Sequence, residues 1–279
     1  MSRALVLGGG GVTGVAWELG LLAGLAEAGV NLREADVVVG TSAGSSVGAQ
    51  VTSGTPVEEL YERQLAGPGS EIPAKLGAGG ILRFAAVLVR HRGDPQAGRA
   101  KLGRLALGAD TVSEADRRAV IASRLPAHEW PAQRLVVTAV DAGTGEFRTF
   151  TAADGVPLVD AVAASCAVPL VWPPVTIGDR RWIDGGVRSP VNADLAAGHD
   201  RVVVIAPVSR GIGAMSPAAQ VEALREAGAR VVLVVPDAAA RKAIGRNSLD
   251  PARREPAARA GRAQAAGVAA QVAAVWHAD

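Results

Sequence analysis

Short apolar runs recur along the chain, each closing in small or polar residues and followed by a stretch with helical spacing. The first spans 4–7 and ends in four glycines ahead of a helix predicted over 15–28. A second spans 36–39, and 43–51 reads as the helix after it. The pattern returns at 134–140, 201–206 and 230–235, with a helix expected over 217–227. Apolar runs separated by helices are the pattern of a mostly parallel sheet buried on both faces. The chain therefore reads as α/β, a three-layer α/β/α architecture around a central, mostly parallel sheet.

Residues 56–130 break this rhythm. Apolar patches such as ILRFAAVLV (81–89) alternate there with GPGS, GAGG and HRGDP, and no strand is evident. The segment reads either as a helical insertion above the sheet or, equally, as an ordinary set of packing helices. Residues 251–276 form an Ala/Arg-rich helix. With neither a repeat nor a long linker, residues 1–279 are expected to form a single domain carrying the 56–130 insertion and that C-terminal helix.

Composition narrows the class. Hydrophobic residues make up 49% and aromatics 3%, so a sizeable core must be built from Ala, Val and Leu. The 29 basic and 27 acidic side chains leave +2, too even a balance for a nucleic-acid binder. Cys166 is the single cysteine, which excludes an internal disulfide and cannot alone build a zinc site. A reducing, cytoplasmic compartment follows as the expectation. The opening MSRALVLGGGG is expected to be neither a signal peptide nor a membrane span, and no uncharged apolar run has bilayer length.

Two glycine-rich turns carry the candidate chemistry. GGGGVTG (8–14) lies between a strand and a helix, where backbone N–H groups point at any negative charge. Gly9, Gly11 and Gly14 satisfy G-x-G-x-x-G, the dinucleotide fingerprint. That use needs an acid at the end of the next strand, whereas Asp36 precedes it. The same loop serves equally as an oxyanion hole. In VVVGTSAGSS (37–46), Gly40 and Gly44 give Ser42 the small neighbours that a nucleophile on a strand-to-helix elbow requires. Ser45 and Ser46 fall within the following helix and read as structural.

A serine needs a base. None of His91, His128, His199 and His277 has a glycine-flanked, strand-end setting, and each reads as a surface histidine. In the α/β-hydrolase scheme several strands precede the nucleophile, whereas Ser42 follows only two, so that class is disfavoured. Asp184 does have the setting. It follows the short strand candidate 180–183 and precedes Gly185-Gly186, so it can act as a general base if it reaches the hydroxyl. The competing reading is an ordinary Asp-Gly turn.

Taken in this order, GGGGVTG, GTSAG and DGG resemble the patatin-like phospholipase family, as does ASCAVPLVWPPV (164–175) ahead of the DGG. The resemblance covers 4–54 and 134–210. It implies a Ser-Asp dyad with no histidine, metal or cofactor. Ser42 would attack an ester carbonyl, Asp184 would take its proton, and the N–H groups of Gly9, Gly10 and Gly11 would hold the oxyanion. The implied substrates are phospholipids, lysophospholipids or neutral acyl esters. One departure is Thr13, where the family's loop usually carries Arg or Lys, and it bears on head-group preference.

Other readings stay open. An acyltransferase or thioesterase would use the same nucleophile with another acceptor. A nucleotide-binding protein would use the glycine loop, and a catalytically silent lipid-binding module would keep only the fold. Peripheral membrane contact is a further expectation. It would use ILRFAAVLV and Arg241, Arg246, Arg253, Arg254, Arg259 and Arg262, at ~1 kcal/mol per arginine near anionic head groups. The alternative there is a solvated helix whose arginine stems cover apolar surface.

Overall fold

The computed structural model describes residues 1–209 and 216–277. Its strands are β1 (Arg3–Leu7), β2 (Val37–Gly40), β3 (Arg134–Asp141), β4 (Phe147–Phe150), β5 (Val175–Ile177), β6 (Arg180–Asp184), β7 (Arg201–Ile205) and β8 (Arg230–Val234). They form one sheet in the order β5-β6-β3-β2-β1-β7-β8, with β4 also on β3. Strands β3, β2, β1, β7 and β8 run parallel, and β4, β5 and β6 add antiparallel pairings.

Alternation along the strands makes the two outer layers. On one face Leu5, Leu7, Val38 and Val137 share a core with α1 (Gly11–Glu27), α2 (Ala43–Val51) and five later helices. On the other, Ala4, Val6, Val39 and Val202 meet Val191, Ala196, Val221 and Leu224. The intervening segment supplies α3 (Val57–Leu65), α4 (Ala78–Arg90), α5 (Pro95–Leu107) and α6 (Glu114–Arg124). Of these, α3 packs on α1, α5 on β3 and β6, and α6 on α7 (Leu158–Ser165), while α4 leans chiefly on α5. Ile81, Leu82 and Val89 of α4 remain exposed. No helix among the described residues is long and apolar enough to cross a membrane.

Three differences from the sequence expectation have physical causes. Helix α1 begins at Gly11, four residues before the apolar spacing starts, so the end of the glycine loop is itself helical. Strands β4 and β5 were not anticipated, being short, partly polar and joined to their partners by tight turns. Helix α8 (Pro217–Glu226) lies where expected, but α9 (Ala238–Ile244) is an additional element, begun by an Asp237 cap on the Ala240 N–H.

The C-terminal helix α10 (Arg254–Trp276) lies along α1 at unusually close range. Gly20 meets the Ala258 carbonyl and Gly261 the Trp17 carbonyl, leaving no room for a Cβ at either crossing. This contact holds the helix that begins at the glycine loop. Arg241, Arg253, Arg254, Arg259 and Arg262, candidates above for either head-group contact or a solvated helix face, all donate hydrogen bonds within the chain.

Overpacking a filled crossing costs about 1–3 kcal/mol. Gly261→Val should therefore lower the melting temperature by roughly 3–10 °C. Gly267 lies on the same helix with open space around its Cα. Gly267→Ala should raise the melting temperature, because alanine restricts the unfolded chain and favours helix. Thermal unfolding followed by circular dichroism checks both signs.

Candidate active site

The glycine loop follows β1 and the Gly-x-Ser-x-Gly turn follows β2, so both lie at the carboxyl ends of adjacent parallel strands. That is where open α/β sheets present ligand crevices. The Gly44 N–H donates to the carbonyls of Gly8 and Thr41, each at 2.9 Å, and so ties the two turns together. A Cβ on Gly44 would run into the Leu7 carbonyl, so no other residue permits this approach.

Ser42 caps α2 with φ 53° and ψ −117°, a conformation costly to any residue but glycine. It is held from both sides. Its N–H donates to Ser165 Oγ at 2.9 Å, and its carbonyl accepts from Ser45 Oγ at 2.6 Å and Cys166 Sγ at 3.2 Å. Thr41, the residue before it, is fixed by Thr138 Oγ1 and Asn192 Nδ2, both at 3.0 Å. Ser45 was read as structural from the sequence, whereas the holding roles of Ser165, Cys166, Thr138 and Asn192 were not anticipated. Asn192 adopts φ 49° and acts from 151 positions away, so no local pattern marks it.

Asp184 is the last residue of β6, paired with Ala139 of β3, and is almost fully buried. Its backbone N–H donates to the Ala167 carbonyl at 3.0 Å. Burial pushes its carboxyl up to about 7, against the smaller opposing pulls of the neighbouring Ser42 hydroxyl and the Gly186 N–H. The Gly186 bond measures 2.7 Å, and the Ser42 hydroxyl is the carboxyl's side-chain neighbour.

The glycine loop divides its donors. The Gly9 N–H is engaged by the Pro190 carbonyl at 2.7 Å, whereas those of Gly10 and Gly11 have no protein acceptor among the described residues. Gly11 has φ 61° and opens α1, so its N–H and that of Gly10 lie at a helix N-terminus. Ser42 lies at a second. Thr13 donates through both its N–H and its hydroxyl to the Ser248 carbonyl. Beneath the loop, Glu18 is fully buried and accepts from the Gly8 N–H at 3.1 Å. Burial drives its carboxyl well above the usual carboxylate range, with only that one bond opposing.

Ser42, Asp184 and Gly9, Gly10 and Gly11 all border one cavity of about 330 Å³, walled by Leu76, Phe84, Val168 and Val171. The histidines stand apart from it. His91, His128 and His199 each engage a nearby backbone carbonyl. Asp36 accepts from the Arg3 N–H at the opposite end of the strands, far from a ribose bound at the loop. No three His, Cys, Asp or Glu side chains converge as a metal site among the described residues.

A family model described as patatin-like phospholipase matches residues 5–197. No curated protein matches. Among solved structures, VipD from Legionella pneumophila is similar at 12% identity and a TM-score of 0.48, over 97% of this chain and 66% of VipD. The type III effector protein ExoU is similar at 14% identity and a TM-score of 0.43, over 97% of this chain and 53% of ExoU. The chain thus spans between about half and two thirds of the length of these proteins.

The raised Asp184 carboxyl has a stability consequence. The folded chain keeps this proton up to about 7, while the unfolded chain releases it near 3.8. The stability it confers is complete below pH 4 and is lost as pH rises to about 7, a change on the order of 4 kcal/mol. Asp184→Asn cannot ionise and should melt several degrees above the wild type at pH 8. The difference should vanish towards pH 4. Parallel melting curves across this range check it.

Proposed function

This chain belongs to the patatin-like phospholipase family, and from that premise we propose that it hydrolyses lipid acyl esters with Ser42 as nucleophile and Asp184 as general base. The observation that carries the reading is the meeting of a strained serine and a buried carboxyl in one apolar-walled cavity. A volume of about 330 Å³ lies within the range of small-molecule sites, and its aliphatic and aromatic walls suit an acyl chain. Each methylene transferred into such a site contributes about 0.8 kcal/mol.

The chemistry follows from the atoms at hand. Ser42 Oγ attacks the ester carbonyl as its proton passes to the Asp184 carboxylate. Negative charge then develops on the carbonyl oxygen, where the free N–H groups of Gly10 and Gly11 and the two helix N-termini stabilise it. Gly9 has a different part in this scheme. Its N–H holds Pro190, and its Cα lies beside the Ser42 side chain. Collapse of the tetrahedral species expels the alcohol, which takes the proton from Asp184. Water then attacks the acyl-enzyme as Asp184 accepts its proton, and collapse of the second tetrahedral species releases the fatty acid while Ser42 Oγ regains that proton from Asp184.

Because Asp184 must be ionised to act, kcat/KM for a p-nitrophenyl ester should rise about tenfold per pH unit below 7 and level off above it. Ser42→Ala should reduce turnover to background. Asp184→Asn should lower it about 10²–10⁴-fold, the usual contribution of a general base. A flat profile between pH 5 and 8, or an Asp184→Asn variant of wild-type rate, would contradict the proposal.

A further inference from the structure

A second, smaller cavity adjoins the first and shares Gly11, Ser42, Val168 and Leu249 with it. It is bordered by Gly11, Cys166 and Trp172 and closed by two arginines of α6, Arg117 and Arg124, seven residues apart on one helix face. Arg117 is 4% exposed. Its guanidinium lies over the Trp172 ring at 3.8 Å, and neither Nε nor Nη1 has a hydrogen-bond partner. Burial lowers its pKa only to about 10, so it stays charged at neutral pH.

Its neighbours do not supply what it lacks. Among the described residues Glu71 is the one acid facing Arg117, Arg124 and Arg254. Both Glu71 oxygens bond to Arg124, each at 2.7 Å. Arg254 is occupied by Gln64 and by backbone carbonyls at Arg63, Gly67 and Pro68. Three guanidinium groups thus share one carboxylate, and the unpaired one borders the nucleophile's cavity. A buried donor left without an acceptor is costly, and an unpaired buried charge is costlier still. Such a group is tolerated where an anion completes it.

We propose that this cavity is an anion subsite in which Arg117 receives a phosphate-type oxyanion carried on the alcohol side of the scissile ester, while the acyl chain fills the apolar cavity. The inference rests on the acyl-hydrolase reading and adds the charge of the substrate to it. In the present structure the cavity measures about 20 Å³, room for a single water. Phosphate therefore enters by displacing the segment that carries Glu71 and Ile72, which borders the cavity. The exchange keeps Arg124 paired and gives Arg117 the acceptor it lacks. Glu71 is the internal anion that the ligand replaces.

The test compares kcat/KM for a 1-acylglycerol 3-phosphate with that for the neutral 1-acylglycerol of the same chain length. It uses the wild type, Arg117→Met and Arg117→Lys. The wild type should prefer the phosphate ester. Arg117→Met should reduce that preference at least about tenfold, the weight of one charge-assisted hydrogen bond, and Arg117→Lys should restore part of it. If Arg117→Met does not fold, the wild-type preference and its reduction in Arg117→Lys carry the same test. Inorganic phosphate added to p-nitrophenyl butyrate assays separates a free anion, which would inhibit competitively, from a head group, which requires the tethered ester. Equal preferences in the wild type and its variants overturn the subsite while leaving the hydrolase intact. Absence of any p-nitrophenyl butyrate turnover overturns the hydrolase instead. The subsite is then judged by whether glycerol 3-phosphate raises the melting temperature of the wild type and not of the Arg117 variants.

Discussion

One edge of β3 determines where the site forms. Strand β2 pairs with Arg134–Val137 and ends at Gly40, and β6 pairs antiparallel with Ala139–Asp141 just beyond. Because β4 pairs with Val137–Val140 throughout, it takes the opposite edge, so β2 and β6 share the same one in succession. Where β2 stops and the chain turns through Ser42, β6 arrives with Asp184. Two residues 142 positions apart become neighbours through backbone register alone. A slip of one residue in β6 would turn Asp184 to the other face of the sheet.

A short segment at the end of α7 locks this arrangement. Ser165 and Cys166 hold the backbone of Ser42, and the Ala167 carbonyl holds the backbone of Asp184. Three consecutive residues therefore grip both members of the pair. The grip is needed because both are costly. A left-handed serine stores about 1–3 kcal/mol of strain, and a buried carboxyl opposes folding once it ionises. Burial behind the apolar walls of the cavity is what raises the Asp184 pKa. Stability and reactivity are in tension at the same residue.

Much of this was legible in the chain. The apolar runs of β1, β2, β3, β7 and β8 announce buried parallel strands, because no surface strand would be apolar at every position. Ser42 and Asp184 were visible because their backbone constraints demand glycines at fixed offsets, and glycines show in sequence. The start of α1 was not, since helix propensity argues against Gly11 and Gly14. Tertiary packing overrides it there, with Gly14 against Ala43 and Gly20 and Gly24 against α10. The division of labour in the glycine loop was equally hidden, because which N–H is free depends on Pro190, distant in the chain. Ser165 and Cys166 lie inside the ASCAVPLVWPPV stretch, but their hold on Ser42 acts through space, as does that of Asn192, and no spacing signal marks it.

In the proposed chemistry Ser42, activated by Asp184, forms a covalent bond with an acyl-type electrophile. The most direct measurement is intact-mass spectrometry of the protein treated with a fluorophosphonate, followed by peptide mapping of the adduct. One adduct per chain on Ser42 is expected, absent from Ser42→Ala and formed far more slowly by Asp184→Asn. An adduct on any other residue, or an unlabelled protein that nevertheless turns over esters, would contradict the account.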